Sequence, residues 1–232
     1  MGLRHLSLVK GDIASYLKAS LAVGAHLDGA GIAATCATLR MLGRYEDCET
    51  VVKRADALRR EGDELDAERL LVYQRSGTPK AGIAAIERRL SALSAPSDEV
   101  RIALAEYYYA KGDYNRAVER LEGVDSPAAS VDRLRWRALI AAQRLDEAEG
   151  EITSCLDDRP DNFDAWFALA RVRVRRGQVK QARAALTKAM ENGFGDVELL
   201  EEEPRLKDLF ETLSTTPDHD TREPDRPAGR GP

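Results

Sequence analysis

The sequence predicts an all-α chain folded as an α-solenoid, a row of paired helices with helical caps at its ends. Three observations carry this: a glycine punctuation recurs at near-constant spacing, the apolar residues around it keep a helical period, and the prolines fall where helices must stop or start. The punctuation reads Gly43-Arg44-Tyr45, Gly77-Thr78-Pro79, Gly112-Asp113-Tyr114 and Gly177-Gln178-Val179, at glycine spacings of 34, 35 and 65 residues. Inside the long gap, 34 residues before Gly177, stands Gln143-Arg144-Leu145, a further unit whose glycine has been replaced. Five residues after each punctuation comes a small residue, Cys48, Gly82, Ala117, Ala148 or Ala182.

Taken in order, residues 1–28 hold Leu3, Leu6, Leu8, Val9, Ile13, Leu17, Leu21 and Val23, enough for a capping helix or a degenerate leading repeat. Residues 29–193 hold five helix pairs. In the last pair Trp166, Leu169, Ala170 and Arg173 fall at i, i+3, i+4 and i+7, and Ala182, Ala185, Leu186, Ala189 and Met190 repeat the stripe after the glycine. The glycine between them takes the left-handed conformation that closes the first helix. Pro96, Pro127 and Pro160 separate units, and Pro79 sits in the first turn of a second helix, where its missing N–H is harmless. No period-two run of β-branched residues bounded by hairpin turns is present. Residues 194–213, with Phe194, Val197, Leu206, Leu209, Phe210 and Leu213, read as closing helices. Residues 214–232 hold four of the nine prolines and no large aliphatic residue, the composition of a disordered tail.

These motifs resemble the tetratricopeptide repeat family. The best match is Trp166-x2-Leu169-Ala170-x6-Gly177-x4-Ala182-x6-Ala189, followed by Leu104-Ala105-x2-Tyr108-x3-Gly112-Asp113-Tyr114-x2-Ala117. The resemblance covers about residues 29–193 and implies a right-handed superhelix that binds proteins in a concave groove lined by the first helices. Two departures stand out. The aromatic that opens the family's first helix is present only as Trp166, which is expected to be buried, and Trp136 occupies a place reserved for a small residue opposite Ala148.

Composition narrows the functional classes. The 35 Lys+Arg and 40 Asp+Glu leave a formal charge of −5, which disfavours nucleic acid, since that partner needs a broad basic surface. No apolar run reaches membrane-spanning length, and Lys10, Asp12 and Lys18 interrupt any signal-peptide core, so a cytoplasmic protein is expected. Three histidines, one of them in the tail, and the lack of GxxxxGK[ST], GxGxxG or GxSxG motifs argue against an enzyme, a metal or a cofactor. Cys36 and Cys48 are read as small packing residues where the helices of the first pair approach, with a redox pair as the alternative.

Interaction is therefore the expected activity, and the exposed face of the first helices is the expected surface. That face reads Ala30, Ala33, Ala37 and Arg40, then Glu64, Ala67, Leu71 and Gln74, then Glu99, Ile102, Glu106 and Tyr109. It turns basic at Arg133 and Arg137 and continues through Phe167, Arg171 and Arg175. In the Tyr107-Tyr108-Tyr109 run, Tyr108 belongs to the core, Tyr109 to the groove and Tyr107 near the outer side. The candidate partner-binding residues are Arg133, Arg137, Arg171, Arg175, Phe167, Tyr109 and Glu106. The arginines point to a protein or peptide segment that is acidic, because guanidinium pairs bidentately with carboxylate. The family's carboxylate clamp, built from Lys, Asn and Arg, is not reproduced. The acidic run Glu198, Glu201, Glu202 and Glu203 is read as a solvated face of a cap. An alternative is a self-associating scaffold, a homo-oligomer in which tail residues Asp218, Asp220, Glu223 and Asp225 occupy the arginines.

Overall fold

The computed structural model describes residues 28–76, 80–124, 129–195, 200 and 203–215. The expectations for a leading cap, for the turn at Gly77 and for the tail beyond residue 215 lie outside the described residues. Eleven helices and no strand are found among the described residues. They are α1 (Gly29–Met41), α2 (Tyr45–Ala57), α3 (Asp63–Ser76), α4 (Lys80–Ser91), α5 (Asp98–Ala110), α6 (Tyr114–Leu121), α7 (Ala129–Ala141), α8 (Leu145–Asp158), α9 (Phe163–Arg175), α10 (Val179–Glu191) and α11 (Pro204–Thr215). In chain order the first ten alternate as first and second helices of five pairs. None of the described helices is long and apolar enough to cross a membrane.

The punctuation works as a helix stop. Gly43, Gly112 and Gly177 adopt φ of 70°, 79° and 73°, a left-handed conformation free of steric cost only without a Cβ. Each lets the next residue's N–H reach back to a carbonyl left open at the end of the helix: Arg44 to Leu39 at 2.8 Å, Asp113 to Tyr108 at 2.9 Å and Gln178 to Arg173 at 2.9 Å. Gln143 makes the same turn at φ 61°, with Arg144 N–H on Leu139 at 2.9 Å. A side chain there is strained, so Gln143→Gly should stabilise the protein by about 1 kcal/mol in denaturant unfolding. Helix starts are set by side-chain caps: Asp28 accepts from Gly31 N–H, Ser97 from Val100 N–H and Asn162 from Ala165 N–H. Pro204 opens α11, where no N–H is needed.

The chain divides into two compact units, residues 1–138 and 139–232, with the boundary inside α7. In the first unit α1 packs on α2 and α3, and α3 packs on α5, so the first helices form one layer. Ile32, Cys36, Leu39, Cys48, Val51, Val52, Ala55, Leu65 and Val72 form one core cluster, and Ala105, Leu121, Val124 and Val131 form another. Cys36 and Cys48 are both free and fully buried. A hydrogen bond with Cys48, then burial, push the Cys36 thiol far above the usual range, so it stays protonated. Gly29 supplies a contact no spacing argument anticipates: a Cβ there would land on the backbone carbonyl oxygen of Glu61, so α1 can approach the entry to α3 only as glycine.

In the second unit α9 lies against α8, α10 and α11. Glu149 on α8 ties this packing by pairing with Arg173 and Arg176. Ala148 and Ala182, like Cys48 and Ala117 in the first unit, are fully buried as the spacing requires. Gly82 departs from the pattern: it is exposed, and a Cβ there would meet nothing within 4 Å. Trp166 also departs. It is only half-buried, its indole N–H donating to the Pro160 carbonyl at 2.7 Å, so it lies over the turn before its own helix instead of filling the core. Trp136, 3% exposed, is the buried tryptophan.

Candidate functional site

The sequence places seven candidate residues on the first helices, and the structure distributes them between the units. Glu106, Tyr109, Arg133 and Arg137 belong to the first unit, and Phe167, Arg171 and Arg175 to the second. In the second group Phe167 and Arg171 are buried, whereas Arg175 stays exposed. Phe167 is 6% exposed and stacks on Phe194 at 4.3 Å between ring centroids, and Phe194 meets Phe210 edge-on at 6.3 Å. Arg171 is equally buried, with Nη2 3.5 Å from Glu203 Oε1. Arg175 donates to the same carboxylate, from Nη2 at 2.6 Å and from Nε at 2.9 Å. Glu203 is itself buried, so of the acidic run the one described residue is an internal counterion and not part of a solvated face. The expected open surface on α9 is corrected accordingly for Phe167 and Arg171. Phe194 stacks on α9 and α11 packs on α9 as well as on α10, and the desolvated Arg171 guanidinium requires a carboxylate beside it.

In the first unit the face remains accessible. Tyr109 on α5 is half-buried, its ring 5.3 Å from that of Tyr114, and the Arg137 guanidinium lies 4.9 Å from its centroid in a cation–π contact. Arg133, one helical turn before Arg137, is exposed. Of its neighbours in the tyrosine run, Tyr108 is core as expected. Tyr107 is not on the outer side: it is 3% exposed, with its hydroxyl donating to Glu87 at 2.7 Å and the Lys111 ammonium 4.8 Å from its ring centroid.

Glu106 belongs to an ion network that joins three first helices. Arg40 on α1 donates from Nε and Nη2 to both oxygens of Glu68 on α3, at 2.9 and 3.0 Å, and from Nη1 to Glu106 on α5 at 2.6 Å. The Glu68 side chain is 7% exposed and that of Glu106 34%. Two carboxylates thus share one guanidinium. Burial holds the Glu106 carboxyl above the usual range, Arg40 opposes that rise and Glu68 adds to it. Beside this network opens a cleft of about 520 Å³, lined by Arg40, Glu106, Leu71, Val72 and Gln74 and by Tyr45, Glu46 and Glu49 at the start of α2. The Arg75 guanidinium stacks over Tyr45 at 4.0 Å on its rim.

Sequence reasoning placed Arg40 and Glu106 on one face but missed Glu68 and Glu203 as partners. A signal was present: Arg40 to Glu68 and Arg175 to Glu203 both span 28 residues, from the end of one first helix to a residue within or just before a helix that packs on it. No group of three or more His, Cys, Asp or Glu able to hold a metal occurs among the described residues.

A tetratricopeptide repeat family model matches residues 139–200. No curated protein sequence matches the chain. Among solved structures, TTC0263, a thermophilic tetratricopeptide repeat protein of Thermus thermophilus, is similar over 77% of this chain and 98% of its own, at 21% identity and a TM-score of 0.55. PilF of Pseudomonas aeruginosa is similar over 80% and 86%, at 15% identity and 0.55. YrrB, described as a protein of this repeat type with an unusual peptide-binding site, is similar over 76% and 92%, at 13% identity and 0.53. At these identities the likeness is one of fold.

Proposed function

We propose that this chain, whose residues 139–200 match a tetratricopeptide repeat model and whose fold is that of solved proteins of this repeat type, is a non-enzymatic interaction module holding an extended segment of a partner protein against the first-helix layer of its first unit. The observation that carries the reading is the accessible face itself: the cleft beside Arg40 and Glu106, and the Tyr109–Arg137 pair with exposed Arg133 further along α5 and α7. Stacked helix pairs present such extended faces, and an aromatic ring beside guanidiniums is the composition that interfaces favour. YrrB, of the same fold, is described with a peptide-binding site. Arg133 and Arg137 are the contacts assigned to acidic residues of the bound segment. Arg171 is not included, since it is buried against Glu203, nor is Arg175, whose guanidinium is bound to the same carboxylate. The same fact leaves the self-associating alternative with Arg133 and Arg137 of the four arginines it assigns to tail carboxylates.

The test uses a partner identified by mass spectrometry after affinity capture on the full chain, then purified and titrated against wild type and Arg133→Glu/Arg137→Glu. A charge-assisted contact is worth about 1.5–3 kcal/mol, so the double reversal should weaken binding at least tenfold while the far-ultraviolet circular dichroism is unchanged. Binding should also weaken with salt, because an open face is screened over about 8 Å at physiological ionic strength. An affinity indifferent to both would remove these two arginines from the reading. Loss of self-association on deleting residues 216–232, with no external partner, would favour the scaffold instead.

A further inference from the structure

The cleft of the first unit has a charge pattern opposite to that of α7, and this deepens the proposal above, on which it rests. The lining comes from the last turns of three first helices: Arg40 near the end of α1, Gln74, Arg75 and Ser76 at the end of α3, and Glu106 and Ala110 at the end of α5. Helix C-termini carry the negative end of the helix dipole, so three of them converge on the cleft against one N-terminus, that of α2. Its lining side chains add Glu46, Glu49 and Glu106. Of the two arginines present, Arg40 is committed to Glu68 and Glu106, and Arg75 is stacked on Tyr45 at the rim. Glu49 is answered by Lys53, whose side chain is 70% exposed. Arg40 is neutralised by Glu68 through two hydrogen bonds, which leaves Glu106 facing the cleft with a shared cation. The floor is apolar, formed by Leu71 and Val72.

We infer that this cleft takes a lysine or arginine side chain of the bound partner segment, its cationic head beside Glu106, Glu46 and Glu49 and its methylene stem on Leu71 and Val72. An alkyl stem with a cationic tip fits an apolar floor under an acidic rim. Together with Arg133 and Arg137 on α7, this gives the face a polarity, so that a segment with a basic residue at one end and acidic residues at the other would bind in one direction only. Burial is the main cause of the raised proton affinity of Glu106, and an incoming cation opposes it.

The experiment titrates the full-length chain with four fluorescein-labelled, C-terminally amidated peptide pools. Each has degenerate uncharged residues around a fixed central Lys, Arg, Gln or Glu. The Lys and Arg pools should bind about tenfold more tightly than the Gln pool, with the Glu pool weakest, and amide or methyl shifts at Leu71 and Val72 should report the contact. In Glu49→Gln/Glu106→Gln the preference should collapse to within twofold, with the melting temperature retained because Arg40 keeps Glu68. Equal binding of the Lys and Gln pools, or a preference for Glu, would overturn the cationic subsite while leaving the groove reading in place. A Lys preference untouched by the double variant would put the cation elsewhere and overturn it as well. No binding of any pool at millimolar concentration would count against both.

Discussion

Trp136→Ala should lower the stability of the protein by about 3–5 kcal/mol, the cost of deleting a large buried aromatic, whereas Trp166→Ala should cost no more than about 1–2 kcal/mol. The repeat pattern suggests the reverse order, because Trp166 stands where the family keeps a packed aromatic and Trp136 where it keeps a small residue. Exposure decides between them. Trp136 is 3% exposed, while Trp166 is half-buried and has its indole N–H tied to the Pro160 carbonyl. Removing Trp166 therefore forfeits part of one ring's burial and one hydrogen bond, and the helix beneath it remains covered by α8, α10 and α11. Urea titrations of the two variants, followed by circular dichroism, measure both losses. A Trp166→Ala protein less stable than Trp136→Ala would contradict the placement of both indoles.

Arg40→Met is expected to cost a comparable amount, about 3–5 kcal/mol, because it leaves the Glu68 carboxylate buried without a counterion. The wild-type side chain joins α1 to α3 and α5 through three hydrogen bonds, and the Glu68 side chain is only 7% exposed. Most of the loss is the penalty on the abandoned charge and not the worth of the pair, so adding Glu68→Leu to Arg40→Met should recover much of it. Equal stability of the single and double variants at neutral pH would show that Glu68 is not the group left exposed to the penalty.

How far the sequence reaches can be judged from particular residues. Gly43, Gly112, Gly177 and Gln143 locate four helix ends because the left-handed turn is a local event with a local signature. Cys48, Ala117, Ala148 and Ala182 are buried because two helices in one pair approach at a fixed offset from that turn. Glu106 and Tyr109 lie on an accessible face for the same reason, since helical periodicity assigns a face once the core side is known. Arg171 and Phe167 obey the same periodicity and are nonetheless buried, while Arg175 stays exposed and pairs with Glu203.

The all-α class, the helix pairs with the turns at Gly43, Gly112, Gln143 and Gly177, and the faces of each helix that can meet a neighbour are legible in the residue pattern, because all of them follow from interactions within about 35 residues. Which of those faces stays open is a matter of tertiary packing. Phe194, Glu203 and α11 pack on α9, and Arg40 chooses Glu68 and Glu106. Periodicity specifies that a side chain leaves the core of its own pair. It carries no information on what a more distant segment then lays upon it, and a guanidinium that can pair with several carboxylates is assigned to one by the packing that brings it near and excludes water.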